Sequence, residues 1–150
     1  TDQQAPLGFV LIVNDADNGL QEWVYVYNDD TNALRGADTT VPKYDVAQLD
    51  DDYALFHCIR GKTASAIGYR IAGVAQHEIA VGSYGFVLRK GKGKVTTTAG
   101  AVVAGTALKI SSAGDVLDFG TDAASVIGMA LAANSSAVAN IDAYIDCKLG

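Results

Sequence analysis

Two short segments contain residue types that bind phosphate or calcium in other proteins. Gly61-Lys62-Thr63 has the letters that end a phosphate-binding P-loop, but that motif needs a glycine five residues before Gly61, where Phe56 stands. The segment Asp15–Gly19 (DADNG) carries the oxygen ligands of a calcium loop. Counted from Asp15, its glycine is fifth instead of sixth, and Glu22 is too close to supply the closing carboxylate. We therefore expect neither site, and we interpret Asp15–Gly19 as a hairpin turn.

The histidines and one serine are the remaining candidates for metal binding or catalysis. His57 adjoins Cys58, but adjacent residues of a strand point to opposite faces, so the two side chains are not expected to share a metal or act as a nucleophile pair. His77 has no second ligand at a zinc spacing. Ser83 lies in a Gly-Ser-Tyr-Gly turn that lacks the Gly-x-Ser-x-Gly spacing of a nucleophile elbow. The sequence predicts no catalytic residue, no metal and no cofactor, and hence a protein that is not an enzyme.

One basic cluster, Arg89-Lys90-Gly91-Lys92-Gly93-Lys94, interrupts an otherwise acidic chain. Its alternating glycines predict a mobile, solvent-exposed loop. Such a loop either keeps the protein soluble or makes a charged contact with an acidic protein partner. On the second interpretation, Lys90, Lys92 and Lys94 are candidate partner contacts.

Length and charge exclude several classes of function. The chain has 150 residues, enough for one domain with a sizeable core, and a formal net charge of −6. An acidic chain is not expected to bind nucleic acid or an anionic membrane nonspecifically, since both require a positive field. No apolar run is long enough for a membrane-spanning helix, and Thr1–Gln4 does not resemble a secretory signal. For a protein made in the cytoplasm, Cys58 and Cys147 are expected to be buried thiols.

The elements that position these residues begin with a hairpin over residues 7–27. An apolar run from Leu7 to Val13 precedes the Asp15–Gly19 turn, and Glu22–Tyr27 then alternates strictly. The alternation places Trp23, Tyr25 and Tyr27 on one face, which is a core face, a subunit interface or, with Asp29 and Asp30 nearby, a glycan site. The preceding residues, 1–6, are predicted to form a flexible arm.

The rest of the chain is organised around a repeated strand–turn–strand unit. Ile71–Ala75 (IAGVA) is followed by a turn and the strand that starts near Phe86; Val126–Ala130 (VIGMA) is followed by a final alternating strand from Ile141. The alternation of this final strand predicts one buried face and one solvated face: Ile141, Ala143, Ile145, Cys147 and Leu149 on the first, and Asp142, Tyr144, Asp146 and Lys148 on the second. Many short segments bounded by turn residues predict an all-β fold: a small barrel or sandwich of short antiparallel strands, in a single domain over 1–150. At most one short helix is expected, capped by Asp45 and presenting Val46, Leu49 and Tyr53 on one face.

Several of these segments together resemble the small capsid decoration proteins of tailed bacteriophages. The resemblance is carried by Arg70–His77, Ile79–Val87, Ala104–Ile110 and Val126–Ala132, and it extends over roughly residues 60–150. It implies a β-rich cement protein without catalytic residues. Such a protein lies on the outer surface of the head, often as a homotrimer, and bridges major capsid proteins.

The resemblance leaves the contacts with the shell and one alternative function open. We expect the first residues to become ordered on the shell, so that Thr1, Asp2, Gln3 and Gln4 are candidate partner contacts beside the three lysines. The alternative is a carbohydrate- or host-receptor-binding β module displayed on a virion, which would use the Trp23, Tyr25 and Tyr27 face.

Overall fold

A computed structural model describes residues 2–29, 40–49, 56–61, 71–98, 100–110, 116–118, 126–135 and 137–147. These residues form ten strands and contain no helix, which confirms the all-β prediction. The strands are β1 (Val10–Asp15), β2 (Gly19–Asn28), β3 (Val46–Leu49), β4 (His57–Arg60), β5 (Ile71–Ala75), β6 (Tyr84–Thr96), β7 (Ala107–Ile110), β8 (Val116–Asp118), β9 (Val126–Ala130) and β10 (Asn140–Asp146).

The predicted N-terminal hairpin is confirmed. β1 and β2 pair antiparallel from Val10↔Val24 to Asp15↔Gly19, and Gly19 ends the turn at a φ of 73°. A left-handed φ is easily adopted by glycine because it has no Cβ, which explains the Asn-Gly at this position.

Five strands pair in a closed circle, which we call the five-strand ring. Their pairings run from β2 to β4, β3, β5 and β6, and then from β6 back to β2. Small and β-branched side chains are packed together within one of the two core clusters, which contains Val24, Val26, Val41, Ala47, Cys58, Ala72, Ala75, Ile79 and Val87. One contact departs from the predicted antiparallel pattern, since β2 and β4 are parallel.

The repeat predicted from the sequence forms two neighbouring hairpins. β5 pairs with β6, β9 pairs with β10, and the two units join where β6 pairs with β10. β9 continues to β7 and β8. Four inward residues of the final strand are buried as predicted: Ile141, Ala143, Ile145 and Cys147; the fifth, Leu149, lies outside the described residues. They belong to the second core cluster, together with Val46, Ile71, Val74 and Leu88 from the five-strand ring.

The predicted loop at Arg89–Lys94 is wrong, because these residues lie inside the 13-residue strand β6. Lys90–Thr96 pairs with β10 along its length. The glycines give room for neighbouring atoms rather than mobility. A Cβ on Gly91 would lie 2.8 Å from the Leu20 carbonyl oxygen, and one on Gly93 would lie 2.5 Å from Cδ2 of Leu88.

The short helix predicted after Asp45 is also wrong. Val46–Leu49 is strand β3, paired with β4 on one side and β5 on the other. Val46, Ala47 and Gln48 are all buried, so two-sided sheet packing outweighs the helical spacing of the apolar residues. The Asp45 carboxylate accepts a hydrogen bond from Arg60 Nε (2.7 Å). Tyr53, the last residue of the proposed helix, lies outside the described residues.

Candidate interaction surface

The acidic turn between β1 and β2 uses its carboxylate for its own structure. Asp15 Oδ1 accepts hydrogen bonds from the backbone N–H groups of Asp17 (3.0 Å) and Asn18 (2.8 Å), and from Asn18 Nδ2 (2.9 Å). The two backbone donors stabilise the charged form and lower the pKa of Asp15. The interpretation of this segment as a hairpin turn is therefore confirmed.

The two histidines belong to different elements, since His57 is on β4 and His77 is in the connection between β5 and β6. His57 Nδ1 is 2.9 Å from Asp29 Oδ2 on the partly exposed side of β4, while Cys58 is fully buried in the core of the ring. The pair thus points to opposite faces, as predicted. Both cysteines are buried thiols, and burial raises the pKa of Cys147 to about 12. Across the described residues no three His, Cys, Asp or Glu side chains are grouped as metal ligands would be, and no helix could span a membrane. Gly61 follows β4 directly, while Lys62 and Thr63 lie outside the described residues.

The aromatic face of β2 forms part of a packed cluster. The ring of Tyr25 is stacked on Tyr84, with centroids 5.8 Å apart, and is tilted against Phe86 at 4.9 Å. Tyr27 contacts Tyr84 and meets the edge of His57. Tyr25 is only 4% exposed, so most of this face is internal packing. Its partners on β6 were not identified from the sequence, because their register depends on long-range pairing.

Trp23 borders a polar recess of about 310 Å³ between the hairpin turn and β6. The amide groups that line this recess already have partners in the chain. Gln21 Nε2 donates to the Lys92 carbonyl (2.8 Å), and its Oε1 accepts from Trp23 Nε1 (3.3 Å). Gln76 makes a similar pair of hydrogen bonds with the backbone of Lys94. The recess therefore has the aromatic and amide groups of a glycan site, but these amides are oriented by β6.

The start of the chain contacts the aromatic cluster. The backbone N–H of Gln4 donates to Tyr25 Oη (3.0 Å), and the side chains of Gln3 and Gln4 bond locally. Asp2, Gln3 and Gln4 are exposed, and Thr1 lies outside the described residues. Their predicted role as partner contacts stays a prediction.

The three candidate lysines form a row along β6 beside an acidic strand. Lys90 stands opposite Asp146, Lys92 opposite Tyr144, and Lys94 opposite Asp142. Directly opposed residues lie on the same face of a sheet, so two of the three positive charges face a carboxylate of the same chain. The field that this row presents to an acidic partner is correspondingly weaker than the sequence indicates.

The first exposed apolar surface is strand β1. Within the described residues β1 pairs only with β2, so it is an edge strand. Five consecutive large apolar residues are more than one-third exposed: Phe9, Val10, Leu11, Ile12 and Val13. Leu20 follows across the turn at 69% exposed. A continuous apolar run is typical of a buried strand, which is why the sequence did not identify this surface. The absence of any charge from Gly8 to Asn14 was the available signal.

The second exposed apolar surface is a groove of about 440 Å³ on the outer side of β7, β9 and β10. Its lining is Gly105, Ala107, Val126, Gly128, Met129, Tyr144 and Asp146. Met129 is 42% and Tyr144 41% exposed, and the two stand opposite each other in the sheet. The alternation along β10 placed Tyr144 and Asp146 on its solvated face, but a groove depends on which strands lie beside β9 and was not predicted.

Comparison with known proteins identifies a shared fold. No protein-family model matches the chain, and no curated protein matches it in sequence. Among solved structures, the chain is similar to the N base of the head fiber protein gp8.5 of bacteriophage phi29. The match has a TM-score of 0.54 at 12% sequence identity and covers 84% of this chain and 94% of that one. At this identity the similarity shows the fold alone.

Proposed function

We propose that this protein is a structural component of a phage virion that lies on the outer surface of the head. The observation that carries the proposal is the fold, which is similar to the base of a phage head fiber over 84% of this chain and 94% of that one. The exposed apolar strand β1 and the groove on β9 and β10 support it, because large exposed apolar patches are typical of interaction surfaces. In this proposal the chain is made in the host cytoplasm and is not an enzyme.

In the finer form of the proposal, the protein cements neighbouring major capsid proteins as a homo-oligomer, with a trimer favoured. The arm 1–6 becomes ordered on the shell, starting from the hydrogen bond between Gln4 and Tyr25. Many copies on one shell bind with multivalency, so each arm needs only a weak contact.

Co-sedimentation with mature capsid shells of the parent phage tests this function. We expect saturable pelleting at a fixed ratio to the major capsid protein, and weaker pelleting when residues 1–6 are deleted. A matched control is Val138→Glu, an exposed position outside both apolar surfaces (62% exposed), which should pellet like the wild type. If the folded wild-type protein stays in the supernatant at every concentration, the head-surface proposal is wrong. If the deletion variant pellets normally, only the role of the arm is wrong.

The second candidate is a carbohydrate- or host-receptor-binding module, and the Trp23 recess favours it. Sugar rings stack on indole faces, and the recess also contains acids and amides. A glycan array with the wild type and with Trp23→Ala tests this function. Binding that is lost in the variant would support it, and no binding to any glycan would remove it.

A further inference from the structure

Strand β1 has a backbone edge that no other described strand pairs with, and the apolar side chains on both of its faces are partly exposed. Tyr25 N donates to Phe9 O (2.9 Å), which fixes the alternation of hydrogen-bonded pairs along β1 and β2. The backbone groups of Val10, Ile12 and Asn14 therefore point away from β2. Natural edge strands usually carry lysine, proline or a bulge that blocks further pairing. β1 has none of these, and Ile12 is 65% exposed. This is the composition of an edge that a partner covers.

The groove on β9 and β10 is open and is lined mainly by small and apolar residues. Gly105 and Ala107 contribute little side-chain volume to its lining, and nothing lies within 4 Å of the position that a Cβ on Gly105 would take. Met129 and Tyr144 contribute exposed apolar side chains to the lining. Among the described lining residues the acidic one is Asp146, which stands opposite Lys90. The groove is thus apolar with a locally balanced charge, and β1 is uncharged up to Asn14.

One copy of the chain is not expected to bring these two surfaces together. β1 is separated from β9 by β2, β6 and β10, which is four strand spacings. At about 4.8 Å per spacing, the surfaces are roughly 19 Å apart along a continuous sheet. A contact between them has to be made by two molecules.

We propose that the exposed apolar side chains of β1, here called the β1 ridge, bind in the groove on β9 and β10 of a second copy of the chain. Both surfaces lack uncompensated charge, so the contact avoids the repulsion that two chains of net charge −6 otherwise experience. Two different patches make the interface heterologous, and it propagates head to tail until it closes into a ring or continues as an open chain. The inference rests on the proposed homo-oligomer and names the surfaces that form it.

Sedimentation velocity of the full chain over a range of concentrations tests the contact. Ile12→Glu removes the ridge and Met129→Glu removes the groove, while Val138→Glu adds the same charge at an exposed apolar position elsewhere. We expect the wild type and Val138→Glu to self-associate. Each of the other two variants should dissociate with a Kd at least about 30-fold higher, the loss that defines an interface hot spot. Both substitutions are at exposed positions, and unchanged thermal melting checks that the fold is intact.

Mixing the two deficient variants gives the decisive result. Ile12→Glu retains an intact groove and Met129→Glu retains an intact ridge, so the mixture should form a 1:1 dimer that cannot grow further. A mixture that remains monomeric overturns the proposal, as does a wild type that is monomeric at all concentrations. Self-association of Met129→Glu with loss only in Ile12→Glu also overturns it, and indicates pairing of two β1 edges instead.

The same proteins separate this inference from the proposed function. A monomeric wild type that still pellets with capsid shells would contradict the ridge-to-groove contact and leave the head-surface function intact. A wild type that self-associates as expected but never pellets would contradict the function and leave the contact intact.

Discussion

The two hairpins of the repeat, β5–β6 and β9–β10, have the same kinked first strand in different surroundings. In β5 all five residues of IAGVA are buried, because one face packs inside the five-strand ring and the other against the second core cluster. In β9 the residues of VIGMA have only one buried face, and Val126 and Met129 remain exposed. A similar local pattern thus gives a core element at one position of the sheet and a surface element at the other. The groove lies on the exposed face of β9, in the second repeat unit.

The largest effects on the free energy of unfolding are expected at the central glycines of the two repeat units. A Cβ on Gly73 would lie 2.7 Å from the Leu88 carbonyl oxygen; one on Gly128 would lie 2.1 Å from that of Tyr144, at a φ of 154° that side chains rarely adopt. We expect Gly73→Ala to lower the free energy of unfolding by about 2 kcal/mol, and Gly128→Ala by about 3 kcal/mol or more, because the backbone has to shift.

Urea unfolding followed by circular dichroism measures both changes. Gly100→Ala is the matched control, since a Cβ there meets only Thr98 Oγ1 at an ordinary 3.5 Å. Unfolding midpoints that are the same for all three variants would show that neither kink depends on close approach.

The next effect concerns Val74 and Met129, the residues that directly follow the central glycine in each repeat unit. Val74 is fully buried, so Val74→Ala should lower the free energy of unfolding by about 2 kcal/mol through lost burial and the cavity that remains. Met129 is 42% exposed, and Met129→Ala should change it by no more than about 0.5 kcal/mol in the monomer. Equal losses, measured in the same unfolding experiment, would contradict the difference between the two faces.

The two hairpins also show which features of the fold can be predicted from the sequence. Turn residues and alternation were sufficient for the β1–β2 hairpin, both strands of each repeat unit and the buried side of β10. The lysine row was misread as a loop because glycine has two uses, flexible turns and close approach, and only the packing of Gly91 and Gly93 distinguishes them. β3 was misread as a helix because pairing on both sides is not visible in its four residues.

The interaction surface was less predictable than the fold. Exposure of β1 depends on where the sheet ends, and the groove depends on which strands flank β9. Both are properties of long-range pairing. The motifs with chemical residue types, by contrast, could be weighed from spacing alone, and the Asp15 turn was identified correctly.

A smaller effect is expected where the two hairpins meet. Lys94 and Asp142 are directly opposed on β6 and β10, and opposite charges at such positions stabilise a sheet by roughly 0.5 kcal/mol. A double-mutant cycle with Lys94→Gln and Asp142→Asn should give a coupling energy of about that size at low salt. Because exposed charges are screened, the coupling should nearly vanish at about 1 M salt. Zero coupling at low salt would mean that the opposed charges do not interact and that the lysine row keeps its full field.

The smallest effect distinguishes the two connections within the hairpins. The β5–β6 connection contains His77, whereas the β9–β10 connection contains no titratable side chain. Partial burial lowers the pKa of His77 below its ordinary value of 6.5, and the Lys43 ammonium lowers it further. The unfolded chain therefore binds this proton at a higher pH than the folded chain does. The contribution of His77 to the free energy of unfolding is fully present above about pH 6.5, and it is lost as the pH drops through and below that value.

His77→Gln removes this contribution, so the free energy of unfolding should decrease less in the variant than in the wild type between pH 7.5 and 5.5. All other ionisable groups are common to both proteins, so their contributions largely cancel in that difference. Since part of the His77 ring remains exposed, water reduces the penalty for charging it, and the difference should be smaller than the changes above. An identical pH dependence in the two proteins would show that the imidazole is solvated as freely as in the unfolded chain. His77 would then not distinguish the stability of the two hairpins, and the burial of their outer faces would remain as the difference that does.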